Sequence, residues 1–160
     1  MGLLSKKNKP SQKAYAVVTG AGSGIGRSFA LELAKRGGDV ICADIELSSA
    51  QETVDLIQSM TSSSAYAVHC DVGLKESVHA LAEQSEQLLG HPVTLLINNA
   101  GVGLGGKFDE VSLEDWQWCM HVNLWGVIHG CHYFVPKFKQ QGSGAIINVA
   151  SAAGYTAAPE

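Results

Sequence analysis

The sequence lacks three features that direct a chain toward membranes, nucleic acids or secretion. It has no apolar run near the about 20 residues that a membrane-spanning helix needs, so no membrane contact is expected. Its formal net charge of −4 offers no basic surface for nucleic acid. Its four cysteines form no Cys-x-x-Cys pair and lie in apolar runs, which is typical of reduced core thiols. A cytoplasmic protein is therefore expected.

What is present fits one globular domain. The 160 residues are 46% hydrophobic and 16% charged, which is enough apolar material for a real core. Residues 1–13 are basic, and no apolar segment follows them, so they are predicted to be a flexible tail rather than a secretion signal. Residues 14–160 are predicted to form a single, partial domain.

Apolar segments alternate with helical patterns along this domain. Runs that are apolar throughout, separated by helices, indicate a parallel sheet covered on both faces. The prediction is an α/β fold with a doubly wound parallel sheet. The predicted strands are 14–20, 39–44, 65–71, 93–101 and 144–151.

A glycine-rich loop, "TGAGSGIG" at 19–26, joins the first predicted strand to the first helix. Glycines allow close approach of the backbone to a ligand, and a helix N-terminus favours a phosphate. Such a loop can also be merely a tight turn. Asp44, at the end of the second predicted strand, lies 24 residues beyond Gly20. That is close to the spacing of about 20 expected for a carboxylate that binds a ribose.

Five motifs occur in an order that resembles the classical short-chain dehydrogenase/reductase family. They are Thr-Gly-x-x-x-Gly-x-Gly at 19–26, Asp71 after the third strand, "NNAG" at 98–101, Asn123 in "HVNLWG" and Ser151 in "NVASAAG". The resemblance runs from about Lys13 to the end of the sequence. It implies a Rossmann-type fold that is incomplete at its C-terminus, and an oxidoreductase that moves a hydride between a nicotinamide cofactor and an alcohol or carbonyl carbon.

The resemblance also implies a set of cofactor-binding residues. Asp71 and Val72 would contact the adenine, and Asn99 to Gly101 would lie along the ribose. NAD is expected rather than NADP, because a 2′-phosphate would face the Asp44 carboxylate with no basic residue in "CADIEL" to offset it. The full set is Gly20, Ser23, Gly24, Ile25, Gly26, Asp44, Asp71, Val72, Asn99, Ala100, Gly101 and Val122.

Ser151 and Asn123 are the candidate catalytic residues. By resemblance, Ser151 would bind the oxygen of a small alcohol or ketone, and Asn123 would hold a water in a proton relay. The family's proton donor is a Tyr about a dozen residues after the Ser, followed by x-x-x-Lys. Here Tyr155 follows by only four residues and has Pro159 in the Lys position. The catalytic half is therefore expected to be incomplete and the 160-residue chain inactive. The alternative is a non-catalytic dinucleotide-binding module or an inactive truncated product.

The long helical segment at 112–140 carries two apolar faces. One combines Met120, Leu124, Val127, Cys131 and Phe134 and is predicted to pack on the sheet. The other combines His121, Trp125, Ile128 and His132 and is predicted to form a subunit interface in a dimer or tetramer, as the resemblance also implies. A metal site built from His121, His129, Cys131 and His132 is disfavoured, because these side chains point to different faces. No metal is predicted.

Overall fold

Five parallel strands form one sheet in the computed structural model, which describes residues 9–154. The strands are β1 (Tyr15–Thr19), β2 (Asp39–Asp44), β3 (Ala65–His69), β4 (Leu95–Asn98) and β5 (Ala145–Asn148). Their order across the sheet is β3-β2-β1-β4-β5. The chain therefore winds outward from β1 in one direction and then returns to continue on the other side of it. This confirms the predicted doubly wound sheet.

Helices cover both faces of the sheet. They are α1 (Gly24–Lys35), α2 (Leu47–Met60), α3 (Lys75–Leu89), α4 (Leu113–Met120) and α5 (Gly126–Gln140). Neighbouring strand residues alternate between two cores, as period-2 geometry requires. Val18 joins a cluster with α1 and α2, whereas Val17 joins one with α3 and α5.

A π-helical segment, His121–Trp125, connects α4 to α5. The predicted helix at 112–140 is therefore one continuous helical rod with a widened turn near its middle. Such turns concentrate at functional sites. This one contains Val122 and Asn123.

The face of α1 that packs on the sheet combines small residues with one large one. The buried residues of that helix are Gly26, Ala30, Leu33 and Ala34. Ile25, in the first turn, is 63% exposed.

The set predicted to pack on the sheet from the long helix is only partly confirmed. Of the predicted sheet-facing set, Phe134 is buried, whereas Met120 and Leu124 are 47% and 44% exposed. An ideal Cβ on Gly126 would lie 2.8 Å from Val72 Cγ2, and one on Gly130 would overlap the Asn98 amide. The helix packs through these two glycines, and the buried face of α5 is Gly126, Gly130, Phe134 and Phe138.

The described start of the chain contacts α1. The Lys13 N–H donates to the Arg36 carbonyl at 3.3 Å, and Arg36 Nη1 donates to Ser11 Oγ at 3.0 Å. Residues 1–8 of the predicted tail lie outside the described residues, as does Tyr155. Among residues 9–154, no helix combines the length and the apolar character needed to cross a membrane.

Candidate functional site

A cleft of about 420 Å³ opens at the carboxyl ends of β1 and β4. This is the point where the strand order reverses, and ligands of open α/β sheets bind in such crevices. The cleft brings together all twelve residues predicted to bind a cofactor. Its walls also include Ile45, Cys70, Val102 and Trp118, which the motif analysis does not identify. Ser151 and Asn123 are not among its lining residues.

The floor of the cleft is fixed by hydrogen bonds between the ends of β1 and β4. Thr19 Oγ1 accepts from the N–H groups of Asn99 at 3.0 Å and Ala100 at 3.1 Å. In return, Asn99 Nδ2 donates to the Thr19 carbonyl at 2.9 Å. The "NNAG" segment is thereby held against the start of the glycine loop.

The glycine loop is packed too closely to admit a side chain at three positions, Gly20, Gly22 and Gly26. Gly20 has φ +65° and an ideal Cβ there would lie 2.9 Å from Ala100 Cα. A Cβ on Gly26 would lie 2.6 Å from Asn99 Nδ2 and would overlap the Gly20 carbonyl. Gly20 therefore needs both the left-handed conformation and the absence of a side chain, and Gly26 needs the latter.

Asp44 holds the loop from one side. Its Oδ2 accepts from the Gly22 N–H at 2.7 Å, and its Oδ1 accepts from the Glu46 N–H at 3.0 Å. Behind the loop, Arg27 donates to the Gly22 carbonyl and its Nε donates to Thr53 Oγ1 at 2.9 Å. The loop is thus pre-shaped by the protein.

The N-terminus of α1 suits an anion. The first turn contains no acidic residue, and within the described residues Ser23 makes no side-chain capping hydrogen bond. The residues of this first turn line the cleft. The N–H groups at the start of a helix have no partner within the helix and favour negative charge. The cradle fits a diphosphate.

The segment after β3 forms another wall of the cleft, through Cys70, Asp71 and Val72. Asp71 Oδ1 accepts from the Gly73 N–H at 2.9 Å, which closes a turn. His129 Nδ1 lies 3.0 Å from the Val72 carbonyl and donates to it, since a carbonyl oxygen can only accept. Burial raises the pKa of the Cys70 thiol to about 11, so the thiol is neutral at physiological pH.

Asn123 is engaged with the loop after β4. Its Oδ1 accepts from the Val102 N–H at 2.8 Å, and its Nδ2 donates to the Val102 carbonyl at 2.9 Å. The second Nδ2 proton points at Cys119 Sγ, 3.3 Å away. One lone pair of Oδ1 is left after these contacts.

Ser151 lies past the end of β5 and is exposed. Its Oγ accepts from the Ala153 N–H at 3.1 Å in a short 3₁₀ turn, Ala152–Gly154. The structure therefore does not bring Ser151 into the cleft with the cofactor set. Beneath it, Asn148 Oδ1 accepts from Nδ2 of the buried Asn98 at 2.8 Å, which ties β5 to β4.

Tyr133 and Lys137 have the spacing Tyr-x-x-x-Lys, yet they lie away from the cleft on α5. The Tyr133 ring stacks on His79 with centroids 4.8 Å apart. Lys137 Nζ pairs with Glu83 at 2.9 Å and Glu86 at 3.0 Å. Partial burial alone would lower the pKa of Lys137, but these two carboxylates raise it overall. The pair joins α5 to α3, and neither residue lines the cleft.

No group of three or more His, Cys, Asp and Glu side chains converges on a metal position among residues 9–154. His129 is directed at the Val72 carbonyl. Cys131 Sγ faces Asn98 Nδ2 at 3.8 Å. These two residues therefore serve different contacts.

Comparison with known proteins agrees with the geometry. The family model for short chain dehydrogenases matches residues 14–160. The chain belongs to the short-chain dehydrogenase family. Membership agrees with the five motifs described above.

The chain matches only part of the length of individual family members. It is 40% identical over 148 residues to a cyclohexanol dehydrogenase from an Acinetobacter species, covering 92% of this chain and 58% of that protein. It is 38% identical over 139 residues to the probable oxidoreductase EphD of Mycobacterium tuberculosis, covering 86% of this chain but only 23% of that protein.

A crystal structure of a short chain dehydrogenase/reductase from Burkholderia phymatum in complex with NAD superposes with a TM-score of 0.88 at 39% identity. The match covers 94% of this chain and 53% of the other. The chain thus spans about half of that structure, and the dinucleotide fold is the part they share.

Proposed function

We propose that this chain is the NAD-binding portion of an oxidoreductase that interconverts an alcohol and a carbonyl group. The observation that carries the proposal is the cleft at the reversal of strand order, where twelve residues from five separate segments meet. The relatives named above support the substrate class, and the Burkholderia structure with NAD supports a nicotinamide cofactor.

Different residues of the cleft would bind different parts of the cofactor. The loop at 20–26 and the N-terminus of α1 would bind the diphosphate. Asp44 would accept hydrogen bonds from the adenosine ribose hydroxyls, and Asp71 with Val72 would border the adenine. Asn99 to Gly101 would flank the second ribose. When bound, the cofactor supplies the hydride acceptor or donor that amino-acid side chains lack.

Asn123 and Ser151 would serve the substrate end. We propose that Asn123 first positions the loop after β4 through its two bonds to Val102, and that its free Oδ1 lone pair can accept from a water. Ser151 would donate a hydrogen bond to the substrate oxygen once its segment lies over the cleft. Neither side chain supplies a proton with a pKa suited to general acid catalysis, which is typically worth about 10²–10⁴ in rate.

Cofactor selectivity tests the site directly. At about 4 Å, the Asp44 carboxylate would repel a 2′-phosphate by roughly 1–4 kcal/mol. We expect NAD(H) to bind more tightly than NADP(H) in calorimetry on the full-length protein. Asp44→Asn keeps an oxygen acceptor for the Gly22 N–H and removes the charge. It should therefore reduce the difference in affinity between NAD(H) and NADP(H).

Asp39→Asn is the matched control for this experiment. It removes the same charge at the opposite end of β2, where Asp39 Oδ1 accepts from the Ser64 N–H at 2.7 Å. It should leave the NAD(H) preference unchanged. Equal or tighter binding of NADP(H) by the parent would contradict the assignment of Asp44.

The alternative is a dinucleotide-binding module without catalysis. NADH oxidation with a panel of ketones and aldehydes separates the two functions. It should be run on the 160-residue chain and on a version extended to include any downstream Tyr-x-x-x-Lys. We expect turnover only from the extended protein. Comparable rates from both would show that the proton donor lies within residues 1–160, and binding without turnover by either would favour the module.

A further inference from the structure

We propose that Trp118 forms an aromatic wall of the cleft and packs its indole against the adenine of the bound dinucleotide. The inference rests on the proposed function, because it requires a dinucleotide in the cleft. None of the five motifs contains Trp118, and only the arrangement of α4 beside the segment after β3 brings it to the site.

The helix geometry places Trp118 beside a residue already assigned to the cofactor. Trp118 lies in α4, four positions before Val122, and side chains at i and i+4 occupy the same face of a helical rod. Both residues line the cleft. Trp118 therefore extends the wall of Val122 by one helical turn.

That wall is joined to the segment expected to border the adenine. Val72 packs against the backbone of Gly126, and its carbonyl accepts from His129 Nδ1. The rod that carries Trp118 is thus fixed against Val72. The order of groups along the cleft follows from the other contacts: diphosphate at α1, ribose at Asp44, and purine beyond it toward Asp71.

The Trp118 ring has a free surface to offer. Its side chain is 49% exposed although it is a large apolar group. The neighbouring Trp116 contacts Phe108 with centroids 5.4 Å apart, and Trp125 contacts His129 at 5.8 Å. Among residues 9–154, Trp118 has no such ring partner. An indole with an open face inside a nucleotide-sized cleft is suited to stacking on a base.

Variants of two tryptophans test the proposal in the full-length protein. Trp118→Ala removes the ring, Trp118→Phe keeps a smaller one, and Trp116→Ala is the control. Trp116 lies two positions earlier in the same helix and is partly exposed, but it does not line the cleft. Calorimetry would measure the affinity for NAD, for AMP as a probe of the adenine half, and for nicotinamide mononucleotide as a probe of the other half.

We expect Trp118→Ala to weaken NAD and AMP about tenfold, the scale of one aromatic–base stack. Trp118→Phe should stay within about threefold of the parent affinity, and Trp116→Ala should have the same affinity as the parent. The affinity for nicotinamide mononucleotide should not change. Unchanged NAD and AMP affinity in Trp118→Ala would overturn the proposal, as would an equal loss for nicotinamide mononucleotide.

Fluorescence provides a second readout that does not depend on the alanine variant folding. AMP should quench tryptophan emission in the parent and in Trp116→Phe, and the quenching should disappear in Trp118→Phe. Persistence of the quenching in Trp118→Phe would overturn the proposal while leaving NAD binding intact. A parent that binds neither NAD nor AMP would overturn the proposed function together with this inference.

Discussion

At the scale of single residues, the cleft depends on positions where no side chain can be accommodated. Gly26 is the clearest case, because it lies on the buried face of α1 directly against the Gly20 carbonyl and Asn99. A β-carbon there would push the first turn of α1 away from the loop. The same backbone atoms form the proposed diphosphate cradle, so packing and binding depend on one glycine.

We predict that Gly26→Ala lowers stability by about 1–3 kcal/mol and weakens NAD binding, despite the better helix propensity of alanine. Gly103→Ala is the control, because its Cβ would meet no atom within 4 Å and its φ is not positive. Chemical denaturation and calorimetry on both variants check this. Wild-type stability and affinity in Gly26→Ala would show that the loop can move aside.

Buried thiols give the protein a predictable response to alkali. Burial raises the pKa of Cys42 to about 12 and that of Cys70 to about 11, from a usual 9.0. Above pH 9 the unfolded chain loses these protons while the folded chain keeps them. The folded state binds more protons, so the free energy of unfolding falls as pH rises from about 9 toward 11–12.

We therefore predict a loss of up to about 1.4 kcal/mol per pH unit for each thiol in that window. Cys42→Ala should cost stability at pH 7 through the lost packing, yet show a shallower decline between pH 9 and 11. Urea unfolding at pH 7, 9, 10 and 11 measures both effects. An equal slope in parent and variant would mean that Cys42 does not contribute.

At the scale of elements, α5 approaches the sheet through glycines rather than through its large apolar residues. The Val72 side chain occupies the space where a Cβ of residue 126 would lie, and the Asn98 amide does the same at residue 130. Asn98 in turn donates to Asn148, so the close approach of α5 also organises the pairing of β4 with β5.

We predict graded effects for two alanine substitutions in this helix. Gly130→Ala should destabilise more than Gly126→Ala, because it displaces a buried amide that has a partner, whereas Val72 is an apolar side chain with some freedom to shift. Both variants gain up to about 1 kcal/mol in helix propensity, which works against the effect. Thermal unfolding of the two variants beside the parent gives the order, and the reverse order would contradict this account.

The predictability of these elements follows from the same packing. Apolar runs were sufficient to predict all five strands, because a buried strand must be apolar on both faces. They misled on the sheet-facing side of the long helix, since hydrophobicity favours Leu124 over a glycine. The glycine motif identified Gly26, but the close packing of Gly130 against Asn98 depends on how the elements meet in the folded chain.

The site, like the fold, has residues that the sequence identifies and residues that only the folded arrangement identifies. The motifs carry Gly20, Asp44 and Asn99 into the predicted set because each has a distinctive residue type at a strand end. Trp118 has no such mark, and its position depends on α4 lying beside a segment nearly fifty residues earlier. The roles of the predicted residues, Ser151 and Asn123 included, stay predictions.

At the scale of the whole molecule, one surface of the helical rod is unusually apolar. His121, Trp125, Ile128 and His132 are all exposed on it. The side chains of Trp125 and Ile128 are 48% and 41% exposed. A contiguous patch of this kind indicates a contact with another surface.

We predict that this surface joins subunits in the full-length protein. Trp125→Glu places a charge at its centre and should shift the protein toward a monomer in light scattering. Glu114→Gln, on the exposed first turn of α4, is a control for a change of charge on the rod. A parent that is already monomeric would contradict the prediction.

The order of the strands also bears on how the chain is made. Of the five described strands, β1 leaves the ribosome first, and β2 pairs with it soon afterwards, with Asp39 in register with Tyr15. The other edge of β1 pairs with β4. Thr19 can therefore bond to Asn99 only after 80 more residues have been synthesised. At about 5–20 residues per second, that edge stays open for about 4–16 s of synthesis. Among the described strands that have two neighbours, β1 is thus the one that a nascent chain leaves longest without the second. Its unpaired edge is where binding of a chaperone would protect the chain most.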